Sequence, residues 1–126
     1  GLAGLDAVGE GRLREHAAVV RGTLKASLAS LAMRHECVGD VRGRGLFLGV
    51  ELVRDRAAKT PAPAIARYVV NRAKEMGVLL STDGPNHDVI KIKPPMTFTQ
   101  QDGERLVATL DRILAEDPVR ARTGAG

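Results

Sequence analysis

The residues best placed to do chemistry lie in Val89-Ile-Lys-Ile-Lys93. Successive side chains of a strand point to opposite faces, so Lys91 and Lys93 share one face with Val89, while Ile90 and Ile92 take the other. Two ammonium groups side by side can hold an anionic group. Lysine is a flexible point charge that suits phosphate, whereas planar, bidentate recognition of a carboxylate favours arginine. The same spacing also describes a solvated strand face, and on spacing alone both readings stand.

Other reactive residue types lack partners in the sequence. His16, His35 and His87 show no metal-ligand spacing, so no metal is expected and all three are read as surface residues. Cys37 has no neighbouring base and reads as a small buried hydrophobe. The glycines of Gly39-Asp-Val-Arg-Gly43-Arg-Gly45 are followed by a strand. A phosphate-cradling loop needs a helix there, so a tight hairpin fits better.

The elements that must position the lysines follow from periodicity. Leu13, Ala17, Val20, Leu24, Leu28 and Leu31 recur at steps of three and four, which predicts a long amphipathic helix over 11–34. The stretch 37–53 reads as two short strands; on the second, Phe47, Gly49 and Glu51 take one face and Leu46, Leu48, Val50 and Leu52 the other. Residues 54–59 read as a loop. Thr60 and Pro61 are expected to cap and open a second helix, which Gly77 ends in the left-handed conformation. Strands are predicted at 78–80 and 89–92, separated by the turn-rich Asp83-Gly84-Pro85-Asn86. Pro94-Pro95 stops the second of these. Thr99 and Asp102 resemble a capping box for a third helix carrying Leu106, Leu110, Ile113 and Leu114.

The order predicts an α+β domain over residues 1–117. It is a small, mainly antiparallel sheet of three to four strands covered on one face by about three helices. Residues 118–126 are expected to form a flexible tail.

Composition narrows the function classes. The 126 residues are 44% hydrophobic and 27% charged, as expected of one folded domain. With Phe47, Tyr68 and Phe98 the only aromatics, a nucleic-acid surface built on base stacking is not expected. The net charge of +4 is scattered along the chain and reads as a solvated surface. No apolar run approaches the ~20 residues of a membrane span. A single cysteine fits a reducing cytoplasm. The first residue is glycine, which suggests a processed end, a tag remnant or a piece of a longer chain.

Three linked stretches carry a family resemblance: Val38-Gly-Asp-Val-Arg-Gly-Arg-Gly-Leu-Phe-Leu-Gly-Val-Glu-Leu52, Gly77-Val-Leu-Leu-Ser-Thr-Asp-Gly-Pro85, and Val89-Ile-Lys-Ile-Lys-Pro-Pro-Met96. Together they resemble the C-terminal small domain of class III aminotransferases. The wording is most similar to the branch with ethanolamine-phosphate phospho-lyases and alanine–glyoxylate aminotransferase 2-like enzymes. The resemblance implies a fold type I parent, usually a homodimer, that moves an amino group between an amine or amino acid and a keto acid or aldehyde. Its pyridoxal phosphate is held as a Schiff base by a lysine of a large domain. That lysine is not among Lys25, Lys59, Lys74, Lys91 and Lys93, so the isolated chain is expected to bind no cofactor and to be inactive.

Many relatives carry a carboxylate-binding arginine where this chain has Lys91, a departure that fits a substrate with another anionic end, phosphate included. Relatives also often have His-Pro where this chain has His35-Glu36. Lys91, Lys93 and, less directly, Arg42 are the substrate-site residues the resemblance suggests. Two alternatives stay open: a phospho-lyase acting on an amino-alcohol phosphate, and a stand-alone, non-enzymatic interaction module. The fragment reading also implies an apolar surface for the missing domain.

Overall fold

A computed structural model of the chain describes residues 7–44 and 46–123. Helix α1 (Ala7–Ser30) ends in a 3₁₀ turn (Leu31–Met33) and is followed by β1 (Val38–Arg44) and β2 (Phe47–Asp55). Then come β3 (Thr60–Pro61), α2 (Pro63–Glu75), β4 (Ser81–Asp83), β5 (Val89–Ile92), α3 (Gln100–Leu114) and α4 (Asp117–Ala121). The main sheet has the order β1-β2-β5-β4, β3 pairs with β2 off this path, and every pairing is antiparallel. The α+β expectation is met, with one strand and one short helix more than foreseen.

The helices bury one face of the sheet. Leu24, Leu28 and Leu31 from α1 and its 3₁₀ turn, Ile65 and Val69 from α2, and Leu106, Leu110 and Ile113 from α3 pack with Leu48, Val50, Leu52, Ile90 and Ile92 in one cluster. Alternation along β2 and β5 sends Phe47, Gly49, Glu51, Val89 and Lys91 to the opposite face, which no described helix covers. That face mixes charge with apolar surface. The large exposed apolar side chains are Val19, Met33, Leu46, Leu79 and Met96, on separate elements.

Helix ends account for most departures from the periodicity reading. Gly77 has φ +86°, its amide bonds the carbonyl of Lys74 at 3.0 Å, and the Val78 amide bonds that of Ala73 at 2.8 Å. This is a Schellman cap, and glycine takes its left-handed residue without a Cβ penalty. Val78 is committed to the helix end, so the strand expected at 78–80 forms at 81–83 instead, and Leu79 is 82% exposed.

Thr60 does not cap α2. Thr60 and Pro61 pair with β2, the Ala62 amide bonds the Leu52 carbonyl at 3.2 Å, and the helix opens at Pro63. Both prolines could have occupied a first helical position, and the second does because Ala62 before it is held non-helical, at φ −125° and ψ 65°, by its bond to Leu52. The capping box of α3 forms as expected: the Thr99 hydroxyl accepts from the Asp102 amide at 3.0 Å, and the Asp102 carboxylate accepts from the Thr99 amide at 3.0 Å.

The tail expected from residue 118 is also corrected. Residues 117–121 are helical and Val119 is 1% exposed. Glu116, just before α4, accepts from the Tyr68 hydroxyl at 2.6 Å and from Arg72 Nε at 3.0 Å, which ties α4 to α2. Residues 124–126 of that tail lie outside the described residues.

Candidate functional site

Strands β1, β2, β5 and β4 place Arg42, Gly49, Lys91 and Ser81 in one cross-strand row. With strands about 4.8 Å apart, the backbones of Arg42 and Lys91 stand about 10 Å from each other with no side chain between them. At Gly49 the sheet is closely packed: a Cβ there would meet the Val89 side chain, at Cγ1, at 3.1 Å. The row borders a hollow of about 580 Å³ lined by Phe47, Asp83 and Asn86 among others.

All three residues singled out from the sequence lie on this open face, in two different electrostatic states. Arg42 donates through Nη2 to Glu51 Oε2 at 2.8 Å, and its Nε lies 3.7 Å from Asp40 Oδ2. Its charge is matched by two carboxylates of its own and the neighbouring strand. Lys91 and Lys93 form no ion pair among the described residues. Instead Lys91 Nζ lies 4.1 Å and Lys93 Nζ 5.3 Å from the centroid of the Phe47 ring. A ring face attracts ammonium groups through its quadrupole without neutralising them, so both positive charges stay available to an anion.

Strand alternation puts Phe47 and Glu51 on this face as well, without indicating what either does there. An aromatic side chain on the uncovered face of a strand was the signal for Phe47, since large apolar groups at such positions are the informative exceptions. Nothing in the spacing announced the pairing of Glu51 with Arg42, which depends on the β1–β2 register.

The remaining reactive groups are structural. Cys37 is buried, and loss of solvation pushes its thiol up to about 11, the reverse of an activated nucleophile. His35 Nε2 lies 2.7 Å from Asp111 Oδ1, joining the end of α1 to α3, so the surface reading of this histidine is corrected to a half-buried tie. His16 and His87 are exposed, as expected. No group of three metal-ligating side chains exists among the described residues. No described helix is long and apolar enough to cross a membrane.

None of the five lysines is buried, and Lys25, Lys59 and Lys74 stand exposed on α1, in the β2–β3 turn and on α2. A Schiff-base lysine is activated by desolvation or by a cationic neighbour inside a closed site.

The aminotransferase class III family model matches residues 1–114. The chain is 47% identical over 116 residues to alanine–glyoxylate aminotransferase 2 homolog 2, mitochondrial, of Arabidopsis thaliana, covering 92% of this chain and 24% of that protein. It is 37% identical over 111 residues to ethanolamine-phosphate phospho-lyase homolog 1 of Caenorhabditis elegans, covering 87% and 24%. Among solved structures, a phospholyase from Arthrobacter in complex with phosphoethanolamine superposes with a TM-score of 0.81 at 34% identity, over 92% of this chain and 28% of that one. The chain thus spans about a quarter of the length of the relatives it matches. With its fold, its three linked motifs and this match in agreement, the chain belongs to the class III aminotransferase family.

Proposed function

We propose that this chain is one part of a longer pyridoxal-phosphate-dependent enzyme and that its open sheet face holds the anionic end of a small amine substrate on Lys91 and Lys93. The observation that carries this is the pair of ammonium groups left without carboxylate partners over the Phe47 ring. The reaction is transfer of an amino group between an amine or amino acid and a keto acid or aldehyde. Pyridoxal phosphate supplies the electron sink for that chemistry. The lysine that anchors it belongs to a large domain outside these residues, and the isolated chain is inactive. The longer protein works as a homodimer in the cytoplasm. Arg42, matched by Glu51 and Asp40, braces the site and shapes its edge.

The same lysine pair favours a second reaction, elimination from an amino-alcohol phosphate. There the amine-bearing carbon loses a proton, its electrons form a double bond to the next carbon as that carbon's bond to the phosphate oxygen breaks, and phosphate leaves with the electron pair; that carbon then regains a proton, and water replaces the amino group to give a carbonyl product and ammonia. Two point charges suit a phosphate dianion, and the Arthrobacter phospholyase is a close structural neighbour. Product analysis of the full-length enzyme separates the two. Free phosphate and ammonia identify the lyase, an amino group carried to a keto acid or aldehyde identifies the transaminase, and activity in the 126-residue chain alone refutes the division of labour proposed here.

A further inference from the structure

We propose that Phe47 is a positioning residue that gathers the two lysine ammonium groups over one ring, so that the site prefers a doubly charged phosphate end to a singly charged carboxylate. The inference rests on the reading that Lys91 and Lys93 meet the anion.

Two like charges on flexible four-carbon stems repel, and left alone they spread into solvent. Here both approach a single uncharged anchor, at 4.1 Å and 5.3 Å from its centroid. The register explains how. Leu48 pairs with Ile92, so one step on Phe47 lies across from Lys93; Gly49 pairs with Lys91, which places Phe47 on its diagonal. Diagonal neighbours stand about 7–8 Å apart at the backbone, within reach of a lysine. Because Gly49 offers no side chain opposite Lys91, the stem leans over the ring.

A carboxylate at position 47 would also gather the lysines, but it would cancel the charge the anion needs, as Glu51 and Asp40 do for Arg42. An aromatic ring orders without cancelling. Phosphate monoesters are largely dianionic near neutral pH, with a second ionisation around pH 6, so they match two ordered cations where a carboxylate matches one. The ring is set on β2, held by β1 on one side and β5 on the other, so its own position is fixed by the sheet.

The test is nuclear magnetic resonance of the 126-residue chain, whose five lysine ε-methylene signals report each ammonium group separately. The ring current is expected to shift the Lys91 and Lys93 signals upfield and to leave Lys25, Lys59 and Lys74 at ordinary positions. Phe47→Leu should return both shifted signals to ordinary positions. It should weaken binding of inorganic phosphate about tenfold, equivalent to about 1.4 kcal/mol, while changing acetate binding less than about twofold; Phe47→Tyr and Phe47→Trp should restore phosphate binding. If Phe47→Leu binds phosphate as the unsubstituted chain does, or if only one lysine shows the ring shift, the role given to Phe47 is wrong while the lysine site survives. If phosphate moves neither lysine signal in the unsubstituted chain although both are ring-shifted, the lysine site itself fails and this inference goes with it.

Discussion

Val119→Ala tests the short C-terminal helix that periodicity left as a tail. Val119 is 1% exposed and packs in the same cluster as Ile113, Leu114 and Ile65. The substitution removes two methyl groups at about 0.8 kcal/mol each; with a contribution from the cavity left behind, the loss is about 2 kcal/mol. Unfolding entropy of about 2.1 cal/mol/K per residue gives this length about 0.26 kcal/mol/K, so the melting temperature should fall by about 8 °C. In urea the midpoint should drop with an unchanged slope, as expected when folded-state packing alone is altered. Arg120→Ala, on the exposed side of the same helix, is the control and should stay within about 0.5 kcal/mol. Deleting residues 117–126 should cost more than Val119→Ala and should also speed the reaction of Cys37 with thiol reagents, because Arg120 and Thr123 line the hollow beside that thiol. A Val119→Ala variant as stable as the unsubstituted chain would refute the assignment of α4 to the folded core.

The Cys37 thiol, pushed from 9.0 to about 11 by burial, keeps a proton that the unfolded chain releases above about pH 9. Stability is therefore full below pH 9 and falls as pH rises towards 11, by at most about 1.4 kcal/mol per unit; Cys37→Val should flatten that alkaline slope in urea titrations. The Glu116 carboxyl is held below its ordinary range by hydrogen bonds from Tyr68 and Arg72. Its contribution is present above that range and lost on acidification, so Glu116→Gln should lower stability at neutral pH and weaken the acid dependence, read by denaturation from pH 7 down to about 3. Gly77→Ala forces a side chain into the left-handed conformation at φ +86° and should cost about 1 kcal/mol by thermal melting. In the full-length enzyme, Lys91→Arg should favour substrates ending in an α-carboxylate over phosphate-bearing ones by about tenfold in kcat/KM, since the guanidinium fork matches a carboxylate; an unchanged ratio would remove Lys91 from substrate selection.

Periodicity was enough to find the core. Leu24 and Leu28 of α1, the stripe of α3 and the aliphatic residues alternating along β2 and β5 face the interior as their spacing requires, while Leu13, a turn and more before the packed part of α1, is only half-buried. It failed where a backbone group had two possible partners. The Val78 amide could have opened a strand and instead closes α2, while Ala62 could have entered a helix and instead bonds Leu52. Val119 was missed because a five-residue helix offers too few turns for a repeat, and its burial depends on contacts with distant residues. At the open face, alternation along one strand sufficed to group Lys91 with Lys93. The matching of Arg42 and the ring beneath both lysines depend on which strands are neighbours, and no local pattern encodes that.

Strand β5 is flanked on both edges, by β2 and by β4, and its inward side chains Ile90 and Ile92 are locked into the core. Position 91 consequently works as a socket: its mainchain cannot drift, its neighbour across the sheet is a bare glycine, and a different head group can be plugged in without refitting the scaffold. A lineage could retune what this surface attracts through single codon changes there, leaving its folding instructions untouched.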